Sequence, residues 1–239
     1  MRRFAALAPF ALLAGLSLPA YAGTITIEGH GEVMAAPDMA QINSGVTTQG
    51  ATAREALDAN TAAMAELIAE LKAAGIEARD IQTSGFSVNP NYVYTDERDA
   101  NGYSLPPKIN GYQVANTVTV TVRALDSLGS ILDKSVTVGA NTVNGVTFAV
   151  ADPSELYDEA RKAAFADARA KAELYATAAG GSLDEILSIS ETQGFNNPQP
   201  YPMYARADMA ASAPVPVQAG ELGFAISVNV QWELETAAQ

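Results

Sequence analysis

Residues 111–123, GYQVANTVTVTVR, alternate valine with threonine over most of their length. These β-branched residues pack well on a pleated surface, so the segment predicts a long strand. Alternating segments at 40–47 and 81–88 precede it, with a helical segment between them, and a short helix at 126–138 and a strand at 143–150 follow. The order β-α-β-β-α-β is that of a split, ferredoxin-like unit. We therefore predict an α+β fold, with a mixed or antiparallel sheet and helices packed on one face.

The helix between the first two of these strands has the clearest boundaries in the sequence. Thr52 and Glu55 stand in the S/T-x-x-E spacing of a capping box, whose side chains satisfy free amides at a helix start. Gly75 followed by Ile76 is typical of a left-handed helix end with its hydrophobic contact.

A second long helix is predicted from Asp152 to about Ala179. Asp152 fits an N-cap, and Pro153 fits the first helical position. Alanine recurs every four residues along one face of this helix. Because alanine has little bulk, that face is predicted to approach a sheet or another helix closely. The four alanines are Ala160, Ala164, Ala168 and Ala172.

The outer strands are predicted from period-two alternation. Residues 24–30 and 40–47 are expected to form an antiparallel hairpin around a turn at 31–37. Further strands are predicted at 186–191 and 223–234.

Composition removes several classes of chemistry. The 239 residues contain no cysteine and one histidine, which excludes disulfides, thiolate metal sites, a cysteine nucleophile and multi-histidine metal sites. Fourteen basic residues against 27 acidic ones give a net charge of −13, so nucleic acid is not an expected partner. No metal and no cofactor are predicted.

The first 22 residues have the three parts of a secretory signal peptide. Arg2 and Arg3 form a basic start, an apolar run follows, and Ala20-Tyr21-Ala22 resembles a cleavage site. Cleavage after Ala22 would leave 12 basic and 27 acidic residues, a charge of −15. No transmembrane segment is predicted in the mature chain. We expect a periplasmic protein with one domain at 23–235 and a short tail at 236–239.

Several blocks of the chain resemble the SIMPL-domain family, a domain of unknown function, and the resemblance covers roughly residues 24–235. The blocks are 29–38, 75–92, 110–123, 139–141, 160–176 and 201–206. The resemblance implies an exported, cysteine-poor bacterial protein. Some relatives are linked to oxidative-stress defence, some are periplasmic or surface antigens, and large ring- or channel-like homo-oligomers are associated with the family. It implies no catalytic residues.

Motifs for nucleotide or calcium binding are incomplete. Gly29 and Gly31 begin a dinucleotide fingerprint, but Met34 stands where the third glycine belongs. His30 between them is interpreted as a surface or packed residue. In the nearest match to a calcium loop, Glu97 and Lys108 occupy the first and last positions, so the bidentate carboxylate is missing. A polar turn is predicted there instead.

Two long loops, at about 95–108 and 195–219, have six of the nine tyrosines of the chain in or beside them, and the second loop also contains two methionines. Tyrosine offers a large contact area at low entropic cost and methionine adapts its shape, which suits a binding surface. The alternative is that these loops fold over their own sheet. The candidate contact residues in and beside the loops are Tyr92, Tyr94, Tyr103, Tyr112, Tyr201, Met203, Tyr204 and Met209.

The sequence thus favours a non-enzymatic periplasmic protein that assembles into a homo-oligomer, with an indirect role in envelope or oxidative-stress defence. The alternative is a periplasmic binding module for a peptide, glycan or small ligand of the envelope. An enzyme built from carboxylates and hydroxyls ranks last, because no set of catalytic residues is indicated.

Overall fold

The computed structural model describes residues 23–192, 199–201 and 215–236. It confirms the α+β class, with three α-helices and two four-stranded antiparallel sheets in those residues. The helices are α1 (Ala53–Ala73), α2 (Leu128–Thr137) and α3 (Ser154–Ala178). The strands are β1 (Gly23–Ala35), β2 (Met39–Gly50), β3 (Ile81–Val93), β4 (Lys108–Val122), β5 (Thr142–Ala149), β6 (Gly181–Glu191), β7 (Gln199–Tyr201) and β8 (Glu221–Thr236).

The larger of two structural units, which includes residues 32–160, contains the predicted β-α-β-β-α-β arrangement. Its sheet has the order β5-β2-β4-β3, and every neighbouring pair is antiparallel. β4 lies between β2 and β3, which α1 connects, so the unit is split as predicted. The two helices of this unit and the sheet share one core. Its buried side chains include Ile42, Leu67, Leu71, Val118, Val120, Leu128 and Ile131.

Helix α1 has the predicted caps. The Thr52 hydroxyl accepts a hydrogen bond from the Glu55 backbone N–H at 3.2 Å, and the Glu55 carboxylate accepts one from the Thr52 N–H at 3.3 Å. At the other end Gly75 has a φ of 92°, and the Ile76 N–H donates to the Leu71 carbonyl at 3.1 Å. Both helix ends therefore use the groups that the sequence indicates.

The predicted hairpin between the first two strands is wrong. β1 continues through most of the predicted turn to Ala35 and pairs with β8, whereas β2 lies between β4 and β5 in the other sheet. Asp38 fixes the change of partner. Its backbone N–H donates to the Ala149 carbonyl at 3.1 Å, and its carboxylate accepts the Ala151 N–H at 2.8 Å. These bonds align β2 with β5, a pairing that period-two alternation does not encode.

The smaller unit consists of residues 23–31, 161–192 and 226–236 within the described chain. It contains most of α3, and the alanine face of that helix is buried as predicted. A side-chain carbon added to Gly29 of β1 would lie 2.6 Å from the Ala168 backbone nitrogen and closer still to the Ala164 carbonyl oxygen. The backbones of β1 and α3 are therefore in direct contact.

The loop predicted at 95–108 is a hairpin tip. Arg98 and Ser104 form a β-bridge, so strand-like pairing continues past the ends of β3 and β4. The Asp99 carboxylate accepts the backbone N–H groups of Asn101 and Tyr103, both at 2.9 Å. This is the polar turn expected from the sequence, and it fixes the position of Tyr103.

Candidate functional site

The distal part of the β3–β4 hairpin, residues 89–112, is called the arm. The last fully buried side chain before the arm is that of Val114 on β4. Within the arm, Gly111 is the only buried residue. Four of the predicted contact residues lie on the arm. Tyr92, Tyr94 and Tyr103 are 52%, 80% and 72% exposed, and Tyr112 is half-buried at its base. They are the four tyrosines in and beside the first of the two predicted loops.

The second predicted loop is only partly described. The backbone of Tyr201 belongs to β7, which pairs with β8 at Glu221, in a different sheet from the arm. A short strand therefore interrupts the loop expected at 195–219. Met203, Tyr204 and Met209 lie outside the described residues.

Sequence reasoning missed four exposed apolar residues of this hairpin. Phe86, Val88, Val93 and Ile109 are all more than one-third exposed. Ile109 is directly opposite Tyr92 on the neighbouring strand. β3 is an edge strand, and no charged residue occurs between Ile81 and Val93. Edge strands usually carry charges that prevent association, so this uncharged segment was the available signal.

The single histidine belongs to a polar cluster in the smaller unit. His30 Nδ1 lies 3.3 Å from the Ser227 hydroxyl, and the His30 backbone N–H donates to Asp167 Oδ2 at 2.8 Å. Lys171 Nζ lies 2.6 Å from the same Asp167 oxygen. Lys171, and then the His30 amide, hold the pKa of Asp167 below its ordinary value.

This cluster resembles a nucleophile and base but has the wrong connections for hydrolysis. In a catalytic triad the carboxylate orients the imidazole through the ring nitrogen that does not face the serine. Here the Asp167 carboxylate instead accepts the backbone N–H of His30. The bond from the His30 backbone joins β1 to α3, and the His30 side chain itself is exposed, which agrees with its interpretation as a surface or packed residue.

Asp80 is a buried acidic residue of the larger unit. Its side chain is 8% exposed, and its two oxygens accept hydrogen bonds from Arg123 Nη2 at 2.8 Å and Arg123 Nε at 3.1 Å. The Arg123 guanidinium holds the pKa of Asp80 below its ordinary value. Arg123 itself is half-exposed at the end of β4. The pair therefore links β4 to the turn before β3 and is structural.

Replacing Asp80 with asparagine is expected to lower the free energy of unfolding by about 1–3 kcal/mol at neutral pH. Because the folded-state pKa of Asp80 is depressed, its stabilising effect is complete above the unfolded-state pKa and is lost as the pH falls through the folded-state value. The difference in the free energy of unfolding between wild type and Asp80→Asn should therefore become smaller below about pH 4. Urea unfolding across pH measures it, with Glu77→Gln as an exposed control expected to cost less than about 0.5 kcal/mol. A pH-independent difference would contradict this assignment.

The described residues contain no group of three or more histidine or acidic side chains placed to hold a metal ion. Among the helices in these same ranges, none combines the length and apolar character needed to cross a bilayer.

Together, the fold and surface define an α+β protein with an exposed hairpin arm that carries several apolar side chains. Residues 25–232 match the SIMPL family, which is described as a protein of unknown function (DUF541). The chain belongs to this family, as the sequence blocks indicated.

Similar proteins support the same assignment along nearly the whole chain. The "26 kDa periplasmic immunogenic protein" of Brucella melitensis biotype 1 is 41% identical over 236 residues, covering 94% of this chain and 93% of that protein. Its counterpart in Brucella abortus (strain S19) has the same identity and coverage. "Uncharacterized protein YggE" of Escherichia coli K12 is 30% identical over 216 residues, covering 90% of this chain and 85% of that protein.

Proposed function

We propose that this chain is a non-enzymatic periplasmic protein that assembles with copies of itself through the arm, and that its role in envelope or oxidative-stress defence is indirect. One observation in particular supports assembly through the arm. Five of the sixteen exposed large apolar side chains in the described residues lie on the arm, and two more, Phe86 and Val88, lie next to it on β3. Such a concentration of exposed apolar area marks an interaction surface on a soluble protein.

The arm has little internal means of stabilisation. A two-stranded hairpin without a third strand or a covering helix is at best marginally stable in water. The arm contains no buried side chain, yet its tip is ordered by the Asp99 turn and by the bond from Arg98 Nη1 to the Gly102 carbonyl at 2.7 Å. A second copy packed against the arm would bury its tyrosines and supply the missing layer.

The edge of β3 favours contact through side chains over a continuous sheet between copies. Pro90 has no backbone N–H to donate to a neighbouring strand, and the register shifts between Thr83 and Gly85 and between Asn91 and Tyr92. These features limit open-ended strand pairing. We therefore expect a closed assembly of defined size.

The proposed compartment and role of this protein are supported by the leader at residues 1–22 and by the names of similar proteins. The Brucella proteins are named as periplasmic, and residues 1–22 have the pattern of an export signal. A chain without cysteine has no thiol to reduce peroxide. Any contribution to stress defence is accordingly assigned to contacts made by the assembly.

Light scattering coupled to size exclusion tests the assembly with the purified exported protein. We expect a homo-oligomer for wild type. The combined variant Tyr92→Ser, Tyr94→Ser, Tyr103→Ser should weaken association at least about 100-fold, because buried interface tyrosines are each worth more than about 1 kcal/mol. The matched control is Tyr175→Ser, since Tyr175 is also 59% exposed but lies on α3.

Two results would overturn the proposal. One is a wild-type protein that stays monomeric throughout the micromolar range. The other is an oligomer whose dissociation constant is unchanged in the triple variant, or is changed equally by the Tyr175→Ser control. Circular dichroism confirms that each variant is folded before its mass is compared.

A further inference from the structure

A cavity of about 380 Å³ lies in the smaller unit, where the last turns of α3 face β6. Its shape follows from the strand. The register between β6 and β8 shifts between Leu183 and Ile186 and again between Ile186 and Ser188. Bulges of this kind bend a strand away from its partner, and they occur often beside functional sites. The lining includes the small residues Ala176 and Gly181, which take up little of the space. The volume falls within the range of small-molecule sites.

Two aromatic rings line the cavity. The centroids of Phe165 and Trp232 are 6.4 Å apart, with their planes inclined at 45°. Trp232 is 3% exposed and Phe165 is partly buried, so Phe165 presents more of its ring to the cavity and Trp232 only a small part of its indole. Aromatic faces attract cations and pack against alkyl chains, and both attractions are stronger where water is excluded.

The charges at the cavity do not balance. Arg169 Nε lies 2.8 Å from Glu173 Oε1, so these two lining residues neutralise each other. Asp184 also lines the cavity; its side chain is exposed and, within the described residues, makes no hydrogen bond or ion pair. The site therefore holds one uncompensated negative charge, on a chain whose net charge is −13.

We propose that this cavity binds a small organic cation, a primary amine or guanidinium attached to an apolar chain. Asp184 accepts hydrogen bonds from the cationic group, and Phe165, together with the small accessible part of Trp232, packs against the chain. An organic anion would meet Asp184 with no free cation to offset it, because Arg169 is already paired. A neutral ligand would desolvate Asp184 without compensation. This site is separate from the arm and does not depend on assembly through it.

The chain contains one tryptophan, so its fluorescence reports directly on the cavity. We would titrate the purified protein with pentylamine and with two probes of the same chain length, pentanol and pentanoate, and confirm binding by calorimetry. Pentylamine should give a saturable change in Trp232 emission. Pentanol and pentanoate should bind at least about tenfold more weakly, because they lack the charge-assisted hydrogen bond to Asp184.

Asp184→Asn should weaken pentylamine binding about tenfold or more. Its matched control is Glu185→Gln, which removes the same charge from the next residue of β6, outside the cavity lining. Both side chains are exposed, so both variants should fold. Equal losses of pentylamine affinity in the two variants would show that the amine responds only to the net charge of the protein, and would overturn the proposal. So would pentanol or pentanoate binding as tightly as the amine, or the absence of saturable amine binding up to about 10 mM.

Discussion

Gly29→Ala is expected to lower the free energy of unfolding by about 3 kcal/mol or more, or to unfold the smaller unit. The added carbon would lie 2.6 Å from both the nitrogen and the Cβ of Ala168, and closer still to the carbonyl oxygen of Ala164. Gly29 has an ordinary φ, so the entire cost comes from this contact. Helix backbone cannot move aside as a flexible side chain can, and α3 must shift as a whole. Chemical unfolding followed by the fluorescence of Trp232, which is buried in the same unit, measures the effect.

Two further variants separate the contact from other effects of replacing glycine. Gly23 lies in the same strand, but an added carbon there meets only the Leu234 side chain at 3.7 Å. Gly23→Ala should therefore change stability by less than about 0.5 kcal/mol. Adding Ala168→Gly to Gly29→Ala should not restore stability, because the nearest obstacle is the backbone oxygen of Ala164. Full rescue by Ala168→Gly, or equal costs for the two glycine variants, would show that the strand and helix are less closely packed.

Helix boundaries were predictable because their signals are local. The cap of α1 involves residues three positions apart, and Asp152 accepts the N–H and the hydroxyl of Ser154 at the start of α3. Sheet partners were not predictable in this way. Alternation identifies β1 and β2 as strands, but the bonds that separate them join Asp38 to residues more than 100 positions away.

The residues of the candidate surface were also predictable only where the signal is local in the sequence. The tyrosines of the arm were identified from composition and loop length alone. The apolar residues beside them were missed because Phe86 and Val88 lie on the same face as core residues of β4, and only the three-dimensional structure shows that the covering ends before them. The role of Asp80 also required its partner Arg123, which is 43 positions away. The cavity beside Trp232 depends on the bulges in β6, and no sequence motif predicts those bulges.

The second large effect is expected at Asn60, which is fully buried in α1. Its Nδ2 donates to the Val46 carbonyl at 2.8 Å and to the Val114 carbonyl at 3.3 Å, which ties the helix to β2 and β4. Asn60→Asp would replace both donors with a carboxylate that faces two carbonyl oxygens. Within the described residues no cation contacts this position. An unpaired buried charge of this kind costs about 3–5 kcal/mol at neutral pH.

The pH dependence of this variant distinguishes charge from packing. Burial raises the pKa of the introduced carboxyl above its unfolded-state value, so the penalty is small below the unfolded-state pKa and grows as the pH rises through and above it. In its protonated form the introduced carboxyl can still donate to one carbonyl. Asn60→Leu serves as the uncharged control, with an expected loss of about 1–2 kcal/mol that does not change with pH. Urea unfolding of both variants relative to wild type, near pH 4 and pH 7, measures the difference. If Asn60→Asp is equally destabilised at both pH values, the introduced carboxylate is hydrated. That result would contradict packing of α1 against β2 and β4 that excludes water from this position.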